Sequence, residues 1–160
     1  MKLSDARIKS GDIIAFSHGD FQTIKGWQTE GVRFIERSTY SHVAVAVVKD
    51  GKVYIYQAIE PETVCVPLAG VGECFWLSCN FPWTQAAQDF AEARLGVKYS
   101  KLDAMRNYLL PVRPDDCQEC AAFAIAIHHR NGVDLGDMAR PDDVVKAALK
   151  QDAVLTLVEA

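Results

Sequence analysis

One apolar run, from Cys120 to Ile127, constrains the fold more than any other stretch of this sequence. A helix built from it carries apolar side chains on every side, so we expect the rest of the protein to enclose it. Asp115 or Asp116 is a suitable N-cap, because a carboxylate accepts hydrogen bonds from the unpaired N–H groups of a first turn. Asn131-Gly132 is a suitable C-terminal stop. The sequence therefore predicts a buried helix between these two signals.

Cys117 falls in the predicted first turn of this helix, where unpaired N–H groups and the helix dipole favour an anion. Such a position lowers the pKa of a thiol and makes its thiolate a nucleophile. The negative charges of Asp115, Asp116 and Glu119 oppose that effect, so a base from elsewhere in the chain must help. The alternative is that Cys117 is a buried apolar residue, as most free cysteines are.

The composition is that of a soluble globular protein. We expect a single domain over residues 1–160, which is long enough to bury a sizeable core. The net charge of −4, from 17 basic and 21 acidic residues, gives a nucleic-acid partner no electrostatic support. No stretch approaches the ~20 apolar residues of a membrane span, and no signal-peptide core is visible. We therefore expect a cytoplasmic protein whose five cysteines are reduced.

The order of strand and helix patterns predicts the fold class. Asp50-Gly51 predicts a tight turn between an alternating strand, His42 to Val48, and its return strand, Val53 to Ile59. Strands before helices indicate an α+β domain with a mainly antiparallel sheet packed against the helix that carries the cysteine. Turn and capping residues predict the other elements. The strands are Asp12 to Ser17, Thr63 to Leu68 and Glu73 to Ser78. The helices are Pro82 to Leu95, with Thr84 or Pro82-Trp83 at its start, Asp103 to Leu110 and Pro141 to Lys150, with two short helices between Gly19 and Arg37.

The hairpin register brings a histidine and an amide together. A two-residue turn places His42 and Gln57 on one face of the sheet, as diagonal neighbours about 7–8 Å apart between backbones. Alanines on that face would let the helix dock there and bring Cys117 beside His42. A thiol, an imidazole and an amide that orients the imidazole form a cysteine-hydrolase triad. Glu60 is the rival third member, and it points to the opposite face unless the register shifts by one residue.

Two further residues are candidates for a substrate pocket. Tyr40 is expected to point the same way as His42, and Glu60 follows the return strand. A tyrosine in this position more often serves only for packing. The rest of the pocket would come from the two stretches with the weakest patterns, Gly19 to Arg37 and Tyr99 to Arg113.

Five motifs follow one another in a distinctive order: Gly11-Asp12-Ile13-Ile14, Val32 to Ala44, Val53 to Ala58, Leu95 to Ser100 and Cys117-Gln118-Glu119. This order resembles the YiiX-like family of circularly permuted NlpC-type papain-fold hydrolases, over most of the chain from about Gly11 to Gly132. The resemblance implies a permuted papain-like fold, in which the strand with the histidine precedes the helix with the cysteine. It also implies Cys117 as nucleophile and His42 as general base.

The resemblance implies a reaction as well as a fold. The family usually has Glu where this chain has Gln57, followed by an alanine, here Ala58; papain-like enzymes also use a neutral amide to hold the imidazole. The position after the nucleophile is often Ser, here Gln118. The implied activity is that of an amidase or peptidase that cleaves an amide or ester through a thioester. Such a reaction needs no cofactor, and its substrate would be a small molecule or a peptide, such as a peptidoglycan peptide or a lipid acyl group.

Three other functions remain open. Cys74, Cys79, Cys117 and Cys120 could supply four thiolates to a zinc ion, although Cys74 and Cys79 fall on opposite faces of a regular strand. Cys117 and Cys120 could form a redox pair, although no βαβ pattern precedes them. A catalytically inactive binding module of the same fold would keep the pocket without the reaction.

We predict that Cys117 is the one hyper-reactive thiol of the protein, because of its position at a helix start. Iodoacetamide labelling near pH 6, mapped by mass spectrometry, is expected to modify Cys117 ahead of the other four cysteines. Equal labelling of all five, or none at Cys117, would contradict an activated thiol.

Overall fold

A computed structural model of the protein describes residues 1–17, 39–100, 102, 106, 110–111 and 119–159. In these residues the strands are β1 Ile13–Ser17, β2 Tyr40–Lys49, β3 Lys52–Ala58, β4 Thr63–Pro67, β5 Glu73–Ser78 and β6 Val154–Glu159. The helices are α1 Gln85–Ala93, α2 Cys120–Arg130 and α3 Pro141–Leu149. The strands form one antiparallel sheet in the order β4-β3-β2-β1-β5-β6. The α+β class with an antiparallel sheet is confirmed.

The β2–β3 hairpin has the predicted register. Lys49 pairs with Lys52, and the ladder continues to the pair of Val45 with Tyr56. Asp50 and Gly51 both have positive φ angles, 51° and 73°. A two-residue turn that matches the twist of its strands requires this geometry, which glycine adopts without cost and aspartate tolerates better than most residues.

The helices cover one face of the sheet, which we call the helix face. It is formed in β2 by Val43, Val45 and Val47, which share a core with the apolar side chains of α2. The opposite face, called the far face, includes Ala44 and Ala46 in a separate core. The prediction that α2 docks on the alanine side of β2 is therefore wrong. The small side chains that allow close approach come from the helix itself: Ala121, Ala122, Ala124 and Ala126.

Helix α2 begins later than predicted. Its N-cap is Glu119, whose carboxylate accepts hydrogen bonds from the N–H groups of Ala121 and Ala122. Asp115 and Asp116, the predicted caps, lie outside the described residues. Cys117 precedes the first helical residue, Cys120, by three positions, so it is not in the first turn of α2. A glutamate side chain is long enough to fold back onto two N–H groups of the first turn, so α2 can begin directly after Glu119.

The end of α2 and the start of α1 agree with the sequence. Asn131 is the C-cap of α2, and Gly132 follows it with a φ of 75°. Thr84 caps α1, and its side chain accepts a hydrogen bond from the N–H of Ala87. Capping residues act within a few positions of themselves, which is why they locate helix ends from sequence.

Strand β6 was not predicted. It pairs with β5 along its whole length and forms one edge of the sheet. The predicted helices between Gly19 and Arg37 lie outside the described residues, as does most of the predicted helix from Asp103 to Leu110, of which Arg106 is described and helical. In the described part of the chain, no helix has the length and apolarity needed to cross a bilayer.

His128 on α2 is completely buried, with its ring edge-on to Phe81 at 5.3 Å between centroids. Neither ring nitrogen has a hydrogen-bond partner in the described structure. Burial lowers the pKa of His128 to about 4. In the unfolded chain the ordinary value is near 6.5, so the unfolded state binds more protons between these pH values, and stability falls as the pH drops through that range.

We expect His128→Leu to remove this acid sensitivity. The loss of stability that His128 causes between pH 6.5 and 4 amounts to about 3 kcal/mol. The variant should also gain about 1–2 kcal/mol at neutral pH, because a buried N–H without a partner is removed. Urea unfolding at several pH values measures both effects, with His129→Leu, at the exposed next position, as control. An unchanged pH slope in His128→Leu would contradict the assignment.

Candidate active site

The start of strand β2 contains a β-bulge, which determines the face of the sheet to which the first side chains of β2 point. Phe16 of β1 pairs with His42, but the next residue of β1, Ser17, pairs with Tyr40, so Ser41 is an extra residue in β2. A bulge redirects the side chains around it. As a result Tyr40 lies against the helix-face core, whereas His42 lies on the far face beside Phe16.

His42 forms a direct hydrogen bond with Gln57. The His42 Nε2 atom lies 2.9 Å from the Gln57 Oε1 atom. Gln57 is 3% exposed and lies in β3, diagonally across the ladder from His42. An amide oxygen only accepts hydrogen bonds, so Nε2 carries the proton and Nδ1 is the basic nitrogen of the neutral ring. The two residues that the sequence placed side by side are therefore in contact.

The surroundings of His42 favour its neutral form. Burial lowers the pKa of His42 to about 4, although the hydrogen bond to Gln57 raises it. The ring of Phe16 lies 5.7 Å away between centroids and shields it further. Desolvation penalises the charged imidazolium relative to the neutral ring. At neutral pH the ring is thus an uncharged base.

Tyr40 and Glu60 lie away from this pair. The ring of Tyr40 packs edge-on against Phe75 at 5.4 Å on the helix face, so the prediction that it points the same way as His42 is wrong. The bulge at Ser41 is the reason. Glu60 lies near Tyr99, whose ring packs on the helix-face core, and burial together with the nearby Cys120, Glu119 and Glu60 raises the pKa of Tyr99.

Cys117 lies outside the described residues, so its distance to His42 stays a prediction. The described chain nevertheless fixes where α2 begins relative to β2. The thiol of Cys120 lies against the backbone of Val43, the residue that follows His42. The start of α2 and the start of β2 therefore meet at one corner of the sheet, with α2 on the helix face and His42 on the far face.

The four described cysteines are free and in environments that suppress reactivity. Burial raises the pKa of Cys74 to about 11 and of Cys79 to about 12, and it also raises the pKa of Cys65 and Cys120. Cys74 belongs to the far-face core and Cys79 to the helix-face core, so these two sulfurs cannot bind one zinc ion. Over the described ranges there is also no group of three metal-ligating side chains.

Phe16 is a site residue that the sequence did not reveal. Its contact with His42 depends on the pairing of β1 with β2. These strands are separated by a long stretch of chain, and no turn motif links them. A sequence signal for this contact does not exist, because non-local strand pairing is set by the whole sheet.

Comparison with known proteins supports the fold described above. No protein-family model and no curated protein matches the sequence. A crystal structure of the metalloprotein YiiX from Escherichia coli O157:H7 is similar, with a TM-score of 0.57 and 19% sequence identity. The match covers 91% of this chain and 82% of that chain. The chain therefore has a YiiX-like fold, as its sequence motifs indicate.

We expect Gln57→Glu to raise the pKa of His42 by about one unit or more, because a carboxylate next to the ring stabilises the imidazolium. NMR titration of the His42 ring measures this directly. Glu60→Gln is the matched control and should leave the His42 pKa unchanged, since Glu60 lies near Tyr99 instead. A shift in Glu60→Gln with none in Gln57→Glu would contradict the contact.

Proposed function

We propose that this protein is a cysteine-dependent hydrolase that cleaves an amide or ester bond through a thioester. Cys117 is the nucleophile, His42 the general base, and Gln57 the residue that orients the imidazole. The observation that carries the proposal is the 2.9 Å contact between His42 Nε2 and Gln57 Oε1. A buried amide that fixes one ring nitrogen leaves the other as the base for a thiol, which is the logic of a cysteine-hydrolase triad.

In the proposed mechanism, His42 Nδ1 takes the proton of the Cys117 thiol while Nε2–H stays bonded to Gln57. The thiolate attacks the carbonyl carbon, and the imidazolium returns the proton to the leaving group. Water, activated by the same nitrogen, then releases the acyl group from the sulfur. Burial lowers the pKa of His42 to about 4, which favours the neutral imidazole that a general base requires.

The proposal requires the Cys117 thiol to reach His42 around the end of β2, not through the sheet. Cys117 is three positions before Cys120, whose sulfur lies against Val43. A chain can span at most about 10 Å over three positions, which is enough to pass from one face of the strand end to the other. In this arrangement the substrate, a small molecule or peptide with an amide or ester bond, binds at the strand end, and Tyr40 and Glu60 lie on the helix-face side of that end.

A metal centre is a poor fit to the described residues. The similar Escherichia coli protein is called a metalloprotein. In this chain, the Nε2 atom of His42 is hydrogen-bonded to Gln57. Within the described ranges there is no group of three metal-ligating side chains, near His42 or elsewhere. No step of the proposed mechanism uses a metal ion.

A second candidate function is an inactive binding module of the same fold. It is favoured by one observation, the docking of α2 on the face opposite to His42. In such a module the His42–Gln57 pair would only stabilise the hairpin. The reactivity of Cys117 separates the two functions.

We expect His42→Ala to slow iodoacetamide alkylation of Cys117 at pH 7 by about tenfold or more, because general-base assistance contributes ~10²-fold or more to such reactions. Mass spectrometry of the modified cysteine gives the rate, and circular dichroism checks the fold. The control is His129→Ala, which replaces an exposed histidine. A folded His42→Ala protein that alkylates at the wild-type rate would favour the binding module.

A further inference from the structure

The start of α2 is fixed by one buried residue, Glu119, which is 5% exposed. Its carboxylate accepts hydrogen bonds from the N–H of Ala121, at 3.2 Å, and from the N–H of Ala122. Its backbone carbonyl oxygen accepts a third hydrogen bond, from the N–H of Phe123 at 2.9 Å. A single residue thus binds three of the N–H groups at the start of this helix, which have no partner within the helix before it.

Water cannot take the place of this carboxylate. Ala121 and Ala122 are completely buried in the helix-face core, so solvent does not reach their N–H groups. A buried N–H group without a partner is costly, and the backbone therefore moves to find another acceptor when one is removed. At an exposed helix start, by contrast, water replaces a lost cap. Removal of the Glu119 side chain should accordingly displace the start of α2.

The carboxylate lies at the corner where α2 meets the start of β2. The thiol of Cys120 donates to Glu119 at 3.7 Å, and the same sulfur lies against the backbone of Val43. Val43 follows His42 in β2. Tyr99 lies near the carboxylate from another part of the chain. Glu119 therefore ties the first turn of α2 to the strand that carries the proposed base.

From these contacts we propose that Glu119 is a positioning residue for Cys117, acting through the start of α2. The inference rests on the proposed function, in which Cys117 is the nucleophile and His42 its base. Cys117 is two positions before Glu119, and a chain spans at most about 7 Å over two positions. Holding Glu119 at this corner keeps the backbone of Cys117 close to the end of β2. Both oxygens of the carboxylate bind helix N–H groups, so Glu119 is not a catalytic residue.

The place at which α2 begins also decides which face of the sheet the preceding chain can reach. A helix capped by Asp115 or Asp116 would contain Cys117 and would carry it along the axis of α2. That axis lies on the helix face, whereas His42 lies on the far face beside Phe16. With Glu119 as the cap, the helix ends before Cys117, and the chain is free to turn around the end of β2.

The test asks whether alkylation of Cys117 still depends on His42 once Glu119 has been replaced. Rates with iodoacetamide are measured at pH 7.5, because burial raises the pKa of Glu119 to about 7 and the carboxylate is mostly ionised at that pH. In the otherwise wild-type protein, His42→Ala is expected to slow alkylation about tenfold. In the Glu119→Ala background, His42→Ala should change the rate by less than about twofold, because the thiol no longer lies beside the ring.

Thr84→Val is the matched control. Thr84 is the N-cap of α1, a helix that packs on the same core, so its replacement removes a cap without touching the start of α2. In this background His42→Ala should still slow alkylation about tenfold. A readout that depends on His42 thus separates positioning from a general loss of stability.

Glu119→Gln tests the conservative change. The amide keeps one acceptor oxygen at the same reach, so we expect an intermediate dependence on His42, about threefold. If Glu119→Ala does not fold, Glu119→Gln takes its place in the comparison. A dependence on His42 as large as that of the wild type would then overturn the positioning role.

The two proposals fail in different ways. If His42→Ala slows alkylation equally in the wild-type and Glu119→Ala backgrounds, the positioning role is wrong and the hydrolase proposal stands. If the dependence on His42 is lost equally in Thr84→Val, destabilisation explains the effect and the positioning role is again wrong. If His42→Ala has no effect in the wild-type background, the hydrolase proposal itself is wrong, and the positioning role falls with it.

Discussion

The contact between His42 and Gln57 depends on the register of one hairpin. Asp50 and Gly51 set that register with a two-residue turn, and both strands then run through the middle of the sheet. A shift by one residue would turn Gln57 towards the helix face and every buried valine of β2 away from α2. The core and the candidate site therefore rely on the same local constraint. A shift in register would therefore cost the packing of the whole sheet, and this stabilises the contact between His42 and Gln57.

A neutral partner gives His42 a particular chemistry. The amide of Gln57 orients the ring but supplies no charge to offset its removal from water, so the pKa of His42 falls to about 4. The same poorly hydrated interior raises the pKa of the Cys74 and Cys79 thiols to about 11 and 12. Burial thus favours the neutral form of all three side chains, the imidazole and the two thiols. Reactive chemistry in this protein has to arise where the chain leaves that interior, at the ends of strands and helices.

The parts of the fold that the sequence predicts are those that neighbouring residues determine. The Asp50-Gly51 turn, the Thr84 cap and the Gly132 stop each act over a few positions, and the structure has all three. The face of the sheet on which α2 docks is not determined in this local way. Close packing of a helix on a sheet needs small side chains on only one of the two elements. This chain has alanines both in α2 and on the far face of β2, and the sequence alone does not rank the two arrangements.

The features that sequence reasoning missed depend on residues far apart in the chain. Glu119, and not Asp115 or Asp116, is the N-cap of α2. Its buried carboxylate folds back onto the first N–H groups of the helix, and the sequence does not show which carboxylate will be buried there. Strand β6 forms because all six of its residues pair with the free edge of β5. The bulge that separates Tyr40 from His42 is held by Asp142, about a hundred positions later in the chain. No local pattern encodes such a contact.

Long-range contacts converge on one short segment of β2. Tyr40 is bound through its N–H by the start of α3, His42 is bound on the far face by Gln57, and Val43 lies against the thiol at the start of α2. Three elements from distant parts of the chain thus meet within four residues, on both faces of the sheet. A strand end is the one place where groups from both faces can approach each other without crossing the sheet. In the hydrolase that we propose, the segment before α2 would therefore meet His42 at this corner.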